Sequence, residues 1–149
     1  MAARGARHPG IREVALGLTY GAPDGVEQID AIRAYLEDRV EFTRDPKGQE
    51  LLYTPDRMVK LLTDPERDGI LRVDCDDVAV LGAALGMSVG LQARFQVVGF
   101  LSPKAPFSHV WTDLKPPSGP GAYQWSDLDT TRPQQALPGA IRRRWIVNL

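Results

Sequence analysis

The feature that most constrains the fold is a nearly all-apolar segment that follows the only cysteine of the chain. After Cys75 the apolar residues cover almost every side of a helix; they are Val78, Ala79, Val80, Leu81, Ala83, Ala84, Leu85 and Met87. A helix that is apolar all round belongs inside a domain. Asp74 is a candidate N-cap and Gly90 a natural stop. The pattern therefore predicts a central helix with Cys75 at its N-terminal end.

The predicted place of Cys75 favours reactivity. The unpaired N–H groups and the dipole at a helix N-terminus favour thiolate over thiol, and the thiolate is the nucleophilic form of cysteine. The alternative interpretation is a small buried hydrophobe, because free cysteines are among the most buried residue types.

The rest of the chain predicts helices before the central helix and strands after it. An amphipathic helix begins near Asp24, with apolar residues recurring every three or four positions at Val26, Ile29, Ile32, Leu36 and Val40. Residues 11–20 alternate weakly and predict a strand or extended segment. Residues 91–98, 107–114 and 122–129 predict an antiparallel meander. This order predicts an α+β fold in which the sheet packs on the Cys75 helix.

Length and composition predict one domain spanning residues 1–149. The Gly-, Ala- and Arg-rich residues 1–10 predict a flexible arm. Residues 132–149 predict a tail, or an edge strand through Trp145, Ile146 and Val147. The net charge of −1 argues against nucleic acid as a partner.

Other function classes are disfavoured by what the sequence lacks. It has no apolar run near the roughly 20 residues that a helical membrane span needs, and no apolar signal segment, so we expect no membrane partner and a cytoplasmic location. One cysteine and two histidines are too few for the usual zinc site. We therefore expect no metal and no cofactor.

A base and an acid are predicted on neighbouring strands. His109 shares a strand face with Trp111, and Asp127 and Asp129 share a face of the next strand, because alternate residues point the same way. Both strands can bring these groups to the N-terminus of one helix. A thiolate, an imidazole and an orienting acid are what acyl-transfer chemistry requires. The backbone N–H of Cys75 is then a candidate oxyanion donor.

Three sequence blocks together resemble the catalytic blocks of the transglutaminase-like superfamily. They are Asp-Cys-Asp-Asp from Asp74 with its downstream Gly-Leu-Gln-Ala-Arg, Ser-His-Val-Trp from Ser108, and Gln-Trp-Ser-Asp-Leu-Asp-Thr-Thr from Gln124. The resemblance covers residues 72–131, and three blocks in order are far more specific than one. It implies a papain-like α+β core with Cys75 as nucleophile, His109 as general base and acid, and Asp129 as orienting acid. Asp127 is the alternative acid.

The resemblance implies a cysteine-dependent amide hydrolase or peptidase that forms a thioester with a protein or peptide substrate. Two alternatives stay open: acyl transfer to an amine, as in transglutaminases, and a non-catalytic assembly module. Asp76 follows the cysteine where cross-linking members usually carry tryptophan, which favours the smaller bacterial and phage branch. The upstream Asp45-Pro46-x-Gly48-x-Glu50 with Tyr53-x-Pro55 is also similar to phage-type members. A phage assembly is therefore a candidate partner, and the virion an alternative location.

Overall fold

The structure is a computed structural model that describes residues 1–46, 49, 51–131 and 141–149. Its helices are α1 (Ala2–Gly5), α2 (Pro9–Leu18), α3 (Gly25–Arg39), α4 (Pro55–Thr63) and α5 (Cys75–Ser88). Its strands are β1 (Val40–Phe42), β2 (Leu71–Val73), β3 (Gln92–Gly99), β4 (His109–Lys115), β5 (Ser126–Asp127) and β6 (Arg143–Asn148). None of the described helices is both long enough and apolar enough to span a bilayer.

The apolar segment after Cys75 forms the predicted central helix. Every residue of α5 from Asp77 to Gly86 is buried. The helix contacts strands β3 and β4 as well as helices α1, α2, α3 and α4. The hydroxyl of Thr112 in β4 donates a 2.6 Å hydrogen bond to the carbonyl of Ala79, which fastens the sheet to α5. The predicted α+β fold, with the cysteine helix packed on an antiparallel sheet, is confirmed.

The antiparallel sheet has the strand order β5-β4-β3-β6. Strands β3 and β4 are the predicted pair, in register from Gln92 opposite Lys115 to Val98 opposite His109. The third predicted strand, residues 122–129, is shorter than expected, since only Ser126 and Asp127 pair with β4. Residues 143–148 form the edge strand β6 on β3. Residues 132–140 of the predicted tail, and Gly48 and Glu50 of the upstream motif, lie outside the described residues.

A second, two-stranded parallel sheet was not predicted. Strand β1 pairs with β2, so that Phe42 lies opposite Val73. The N–H of Thr43 donates to the carbonyl of Val73 at 2.8 Å, which continues the pairing. Because β2 ends two residues before Cys75, this pairing brings the end of β1 to the N-terminus of α5. Each strand has three residues, too few for a periodic signal.

Residues 1–10 are not the flexible arm that their composition predicted. Residues 2–5 form α1, which contacts α5, and Ala2 is only 2% exposed. Gly5 packs so closely that a Cβ there would lie 2.6 Å from Cγ of Pro55. Small residues permit this close approach, so the composition that resembles a loose arm also suits a tightly packed helix.

Residues 11–18 are helical and residues 19 and 20 form a turn, so the prediction of a strand or extended segment over 11–20 was wrong. Helix α2 begins at Pro9, a residue favoured at the first helical position. The ring Nδ1 of His8 accepts from the N–H of Gly10 at 3.2 Å and caps the helix. Ile11 and Ala15, four residues apart, are fully buried on one helical face. The apolar spacing of four was the decisive signal, and the weak alternation was not.

Glycine-to-alanine changes at a packed and at an open helix position are predicted to have opposite effects on stability. The packed position is Gly86, where α5 contacts β4, and the open position is Gly17 in α2. A Cβ on Gly86 would lie 2.6 Å from Cδ2 of the buried Leu114, so we expect Gly86→Ala to lower the free energy of unfolding by about 1–3 kcal/mol. Gly17 in α2 has open space, so Gly17→Ala should raise it by up to about 1 kcal/mol. Urea unfolding measures both. If both variants changed the free energy of unfolding in the same direction and by the same amount, the close packing of Gly86 against Leu114 would be contradicted.

Candidate active site

Cys75 is the first residue of α5 and is partly exposed. Asp74 occupies the predicted N-cap position, with extended backbone dihedrals, but its side chain makes no capping hydrogen bond. Instead the carboxylate of Asp76 accepts from the N–H of Asp77 at 3.0 Å. The helix therefore begins where the sequence predicts. The carboxylate that accepts a hydrogen bond from an N–H of its first turn is that of Asp76 and not that of the predicted N-cap, Asp74.

Asp77 holds a neighbouring segment against the start of α5. It is 1% exposed, and its Oδ1 accepts from the N–H of Tyr53 at 2.7 Å, just before α4. Burial raises the pKa of Asp77 to about 6; the hydrogen bond from Tyr53 opposes this, and the charges of Asp76 and Asp45 add to it. Asp77 thus fixes the chain at Tyr53 to the first turn of α5.

The imidazole of His109 and the carboxylate of Asp129 are paired in the interior. His109 begins β4, and its Nε2 lies 2.9 Å from Oδ1 of Asp129. The two side chains are 2% and 3% exposed. Asp129 follows β5, and the N–H of Leu128 donates to the carbonyl of Thr112 at 2.8 Å, which keeps the segment against β4. The strand pairing therefore brings acid and base together.

Cys75 is the second titratable side chain, after Asp129, that interacts with the imidazole of His109. Burial lowers the pKa of the imidazole, but the hydrogen bonds to Asp129 and Cys75, with the charges on those two groups, outweigh burial and raise it to about 9. Since Nε2 interacts with Asp129, the other ring nitrogen, Nδ1, is left for the thiol. An imidazole held between an acid and a thiol can move a proton to and from the sulfur.

The alternative acid, Asp127, lies elsewhere. It is exposed, and it pairs in β5 opposite Asp113. Its backbone carbonyl accepts from two nitrogens of Arg33, at 3.3 and 2.9 Å. The geometry therefore favours Asp129 over Asp127 as the carboxylate partner of His109.

A buried carboxylate supports the ring beside His109. Asp113 accepts from Nε1 of Trp111 at 2.8 Å, from Gln96 at 2.7 Å and from Arg94 at 2.8 Å. The ring of Trp111 lies 5.7 Å from that of His109, centroid to centroid. These contacts hold Trp111 against the imidazole and limit the orientations open to His109.

A cavity of about 420 Å³ contains both Cys75 and His109. Four apolar side chains line it, namely Phe42, Val97, Phe107 and Val110. Three carboxylates also line it, namely Asp45, Asp74 and Asp76. Burial, the hydrogen bond to Asp76 and the charges of Asp76, Asp45 and Asp77 raise the pKa of Asp74 to about 7. Arg44 lines the same cavity, which therefore combines apolar side chains with charged side chains of both signs.

Most of this lining was not predicted from the sequence. Phe107 carried a signal, since it precedes His109 by two residues in the predicted strand 107–114, where alternation predicts one face for both. In the structure Phe107 lies before β4, which begins at His109. Phe42 carried none, because it reaches the cavity only through the pairing of β1 with β2.

One acidic cluster has the composition of a cation site. Oxygens of Asp74, Asp76 and Asp77 lie within 4.8 Å of one another, and carboxylates suit Ca²⁺ or Mg²⁺. Two of these residues already accept backbone hydrogen bonds, Asp76 from Asp77 and Asp77 from Tyr53. The cluster is explained by the start of the helix, and the prediction that no metal takes part stays a prediction.

Comparisons with known proteins address the family to which this arrangement belongs. The family model described as the transglutaminase-like superfamily matches residues 12–130, which include Cys75, His109 and Asp129. Neither the comparison with curated proteins nor that with solved structures gives a match. A match over most of the chain establishes the family and confirms the predicted resemblance to it. The bacterial and phage branch of the family stays a prediction. The chain belongs to the transglutaminase-like superfamily.

Proposed function

We propose that the chain is a cysteine-dependent amide hydrolase that acts on a protein or peptide through Cys75, His109 and Asp129. The observation that carries the proposal is the position of His109, whose ring interacts with Asp129 at 2.9 Å and with Cys75 in a shared cavity. Members of the superfamily are typically cysteine-dependent hydrolases or acyltransferases. The neighbouring residues fit this chemistry.

In the first half of the reaction, Sγ of Cys75 attacks the carbonyl carbon of the substrate amide. Negative charge develops on the carbonyl oxygen, and the N–H of Cys75 at the N-terminus of α5 is the candidate donor to it. Imidazolium His109 then gives its proton to the leaving nitrogen as the C–N bond breaks. An amine leaves, and the acyl group stays on Cys75 as a thioester.

In the second half, water hydrolyses the thioester. His109, now neutral, accepts a proton from the water as its oxygen attacks the thioester carbon. The C–S bond breaks, a carboxylic acid leaves, and Cys75 returns as thiolate beside imidazolium. Asp129 orients the ring and stabilises its charged form in both halves.

Alkylation of Cys75 by iodoacetamide tests the proposal without a known substrate. We expect Cys75 to react readily at pH 6–7, because an imidazolium beside a cysteine sulfur activates that sulfur as a nucleophile. His109→Ala should slow alkylation at that pH by about 10-fold or more, since a thiol without this partner reacts chiefly at alkaline pH. Intact-mass spectrometry follows the reaction.

The second histidine provides the matched control. His8 caps α2, and His8→Ala should leave the alkylation rate unchanged. Equal rates in His109→Ala and the unaltered chain would contradict the proposal. An unreactive Cys75 combined with tight, stoichiometric binding to another protein would instead favour the assembly module. A phage particle as that partner stays a prediction.

Acyl transfer to an amine is a second candidate, and two carboxylates that line the cavity favour it. Asp45 and Asp76 line the space beside Cys75, where they outnumber the cation Arg44, and carboxylates attract a protonated amine such as a lysine side chain. Product mass separates the two reactions of a glutamine side chain. Hydrolysis adds water and releases ammonia, whereas transfer releases ammonia and joins the two reactants.

A further inference from the structure

The cavity wall contains an aromatic side chain in a constrained loop. Phe107 lies between β3 and β4, two residues before His109, and lines the cavity that holds Cys75. Phe42 lines the same cavity with 48% of its surface exposed. Large apolar surface beside a reactive thiol is available to an apolar part of a bound molecule.

Two side chains of the edge strand hold Phe107. The ring of Trp145 stacks on it, with centroids 6.4 Å apart and the planes 30° from parallel. The guanidinium carbon of Arg143 lies 4.1 Å from the centroid of the same ring. A nitrogen of Arg143 also donates to the carbonyl of Ala105 in the loop, at 3.2 Å. Phe107 is therefore contacted by aromatic stacking and by a cation–π contact.

The register of β6 explains why these two residues meet the loop. Arg143 pairs opposite Gly99 and Trp145 opposite Val97, and residues two apart share a strand face. Gly99 permits a close approach, since a Cβ there would lie 3.0 Å from the carbonyl oxygen of Pro106. The carbonyl of Gly99 also accepts from the N–H of Arg142 at 2.9 Å. Loop and edge strand are thus fixed to the same end of β3.

We infer that Phe107 is a specificity-determining residue, which selects substrates with an aromatic side chain next to the reacting carbonyl. Arg143 and Trp145 are positioning residues that hold its ring in the cavity wall. An aromatic group packed on Phe107, with Phe42 nearby, buries apolar surface and gains the favourable geometry of ring pairs. The inference rests on the proposed function, because it assigns a substrate class to the same site.

Two electrophiles test the inference on the full chain. 2-Chloroacetamide is the small probe, and N-benzyl-2-chloroacetamide carries an aromatic group. With each, an Sγ–C bond forms on Cys75 as the C–Cl bond breaks and chloride leaves. We expect the unaltered chain to bind the benzyl probe more tightly before alkylation, and Phe107→Ala to lower its preference for that probe about 10-fold. The rate with 2-chloroacetamide is measured for each variant and is the reference for this preference.

The positioning residues are tested with matched neighbours on β6. Trp145→Ala and Arg143→Ala should each lower the preference for the benzyl probe about 3-fold through weaker binding, with an unchanged maximum alkylation rate. Trp145→Phe should restore it, because a stacking ring is kept. Arg144→Ala removes the same charge as Arg143→Ala, and Ile146→Ala removes a neighbouring apolar side chain. Both residues point to the other strand face, so both variants should keep the preference for the benzyl probe.

The possible results separate this inference from the proposed function. If neither probe alkylates Cys75, the proposed function fails and this inference fails with it. If both alkylate Cys75 but Phe107→Ala keeps the full preference for the benzyl probe, the inference is overturned and the proposed function stands. Phe107→Leu keeps an apolar side chain in the loop, and it gives the same comparison should the alanine variant unfold.

Discussion

Replacing Cys75 with alanine is expected to abolish amide hydrolysis, a loss of about 10⁴-fold or more. The reason is that the thioester cannot form without Sγ, and removal of the nucleophile from a triad leaves only the contribution of binding and oxyanion stabilisation. The substitution should not harm the fold, because Cys75 is partly exposed at the end of α5 and alanine is a good helix former. Hydrolysis of a defined peptide library, followed by mass spectrometry, measures the loss.

Cys75→Ser separates nucleophilicity from shape. Serine is close to cysteine in size, but its hydroxyl is a weaker nucleophile, so hydrolysis should fall nearly as far as with alanine. Thermal unfolding should show that both variants are folded. Hydrolysis that survives in a folded Cys75→Ala variant would exclude Cys75 as the nucleophile and end the proposal.

Replacing Asp129 with asparagine is the second change with a large expected effect. We expect hydrolysis to fall by about 100- to 10,000-fold, because the ring of His109 loses the acid that orients it and stabilises its charged form. Burial lowers the pKa of His109, and the hydrogen bond to Asp129 is the first contribution that opposes burial. Without that carboxylate the pKa should fall well below its present value of about 9. An NMR titration of the imidazole measures the shift.

The neighbouring acid is the matched control for Asp129. Asp127→Asn removes the same charge two residues earlier, at an exposed position. We expect it to leave both hydrolysis and the pKa of His109 nearly unchanged. If Asp127→Asn removes activity and Asp129→Asn does not, the acid has been assigned to the wrong residue.

The same pair of variants predicts a difference in the pH dependence of stability. The pKa of His109 is about 9 in the folded chain, above its ordinary value of 6.5, so the folded chain binds the proton more tightly than the unfolded chain. The stability that His109 contributes is complete below about pH 6.5 and is lost as pH rises through about 9. Urea unfolding at pH 6 and pH 9 should show a smaller loss in Asp129→Asn than in Asp127→Asn.

The elements that sequence analysis predicted well have strong periodic patterns. Helix α5 is buried over ten consecutive residues from Asp77, and the alternation of residues 91–98 became β3. The prediction for residues 11–20 was wrong because it followed a weak alternation and not the helical spacing of Ile11 and Ala15. Strands β1 and β2 are too short for any period to appear, and tertiary pairing alone creates them.

The candidate site shows the same division. Alternation placed Asp127 and Asp129 on one face and therefore left both open as the acid. The structure separates them, because Asp129 lies 2.9 Å from His109 whereas Asp127 is exposed near Arg33. A two-residue shift along a strand is about 7 Å, which exceeds the reach of a hydrogen bond. Alternation alone cannot tell which of the two carboxylates lies within hydrogen-bond distance of His109, so the three-dimensional structure is needed.

By itself, the sequence determined the central helix with Cys75 at its tip, the two long strands, and the order of the three chemical groups along the chain. These follow from local periodicity, since a face that must be buried repeats at the period of its own helix or strand. Tertiary structure alone decided which acid meets His109, how Phe42 reaches the cavity and how β6 holds Phe107. Each of these joins residues distant in sequence, and such contacts depend on how whole elements pack.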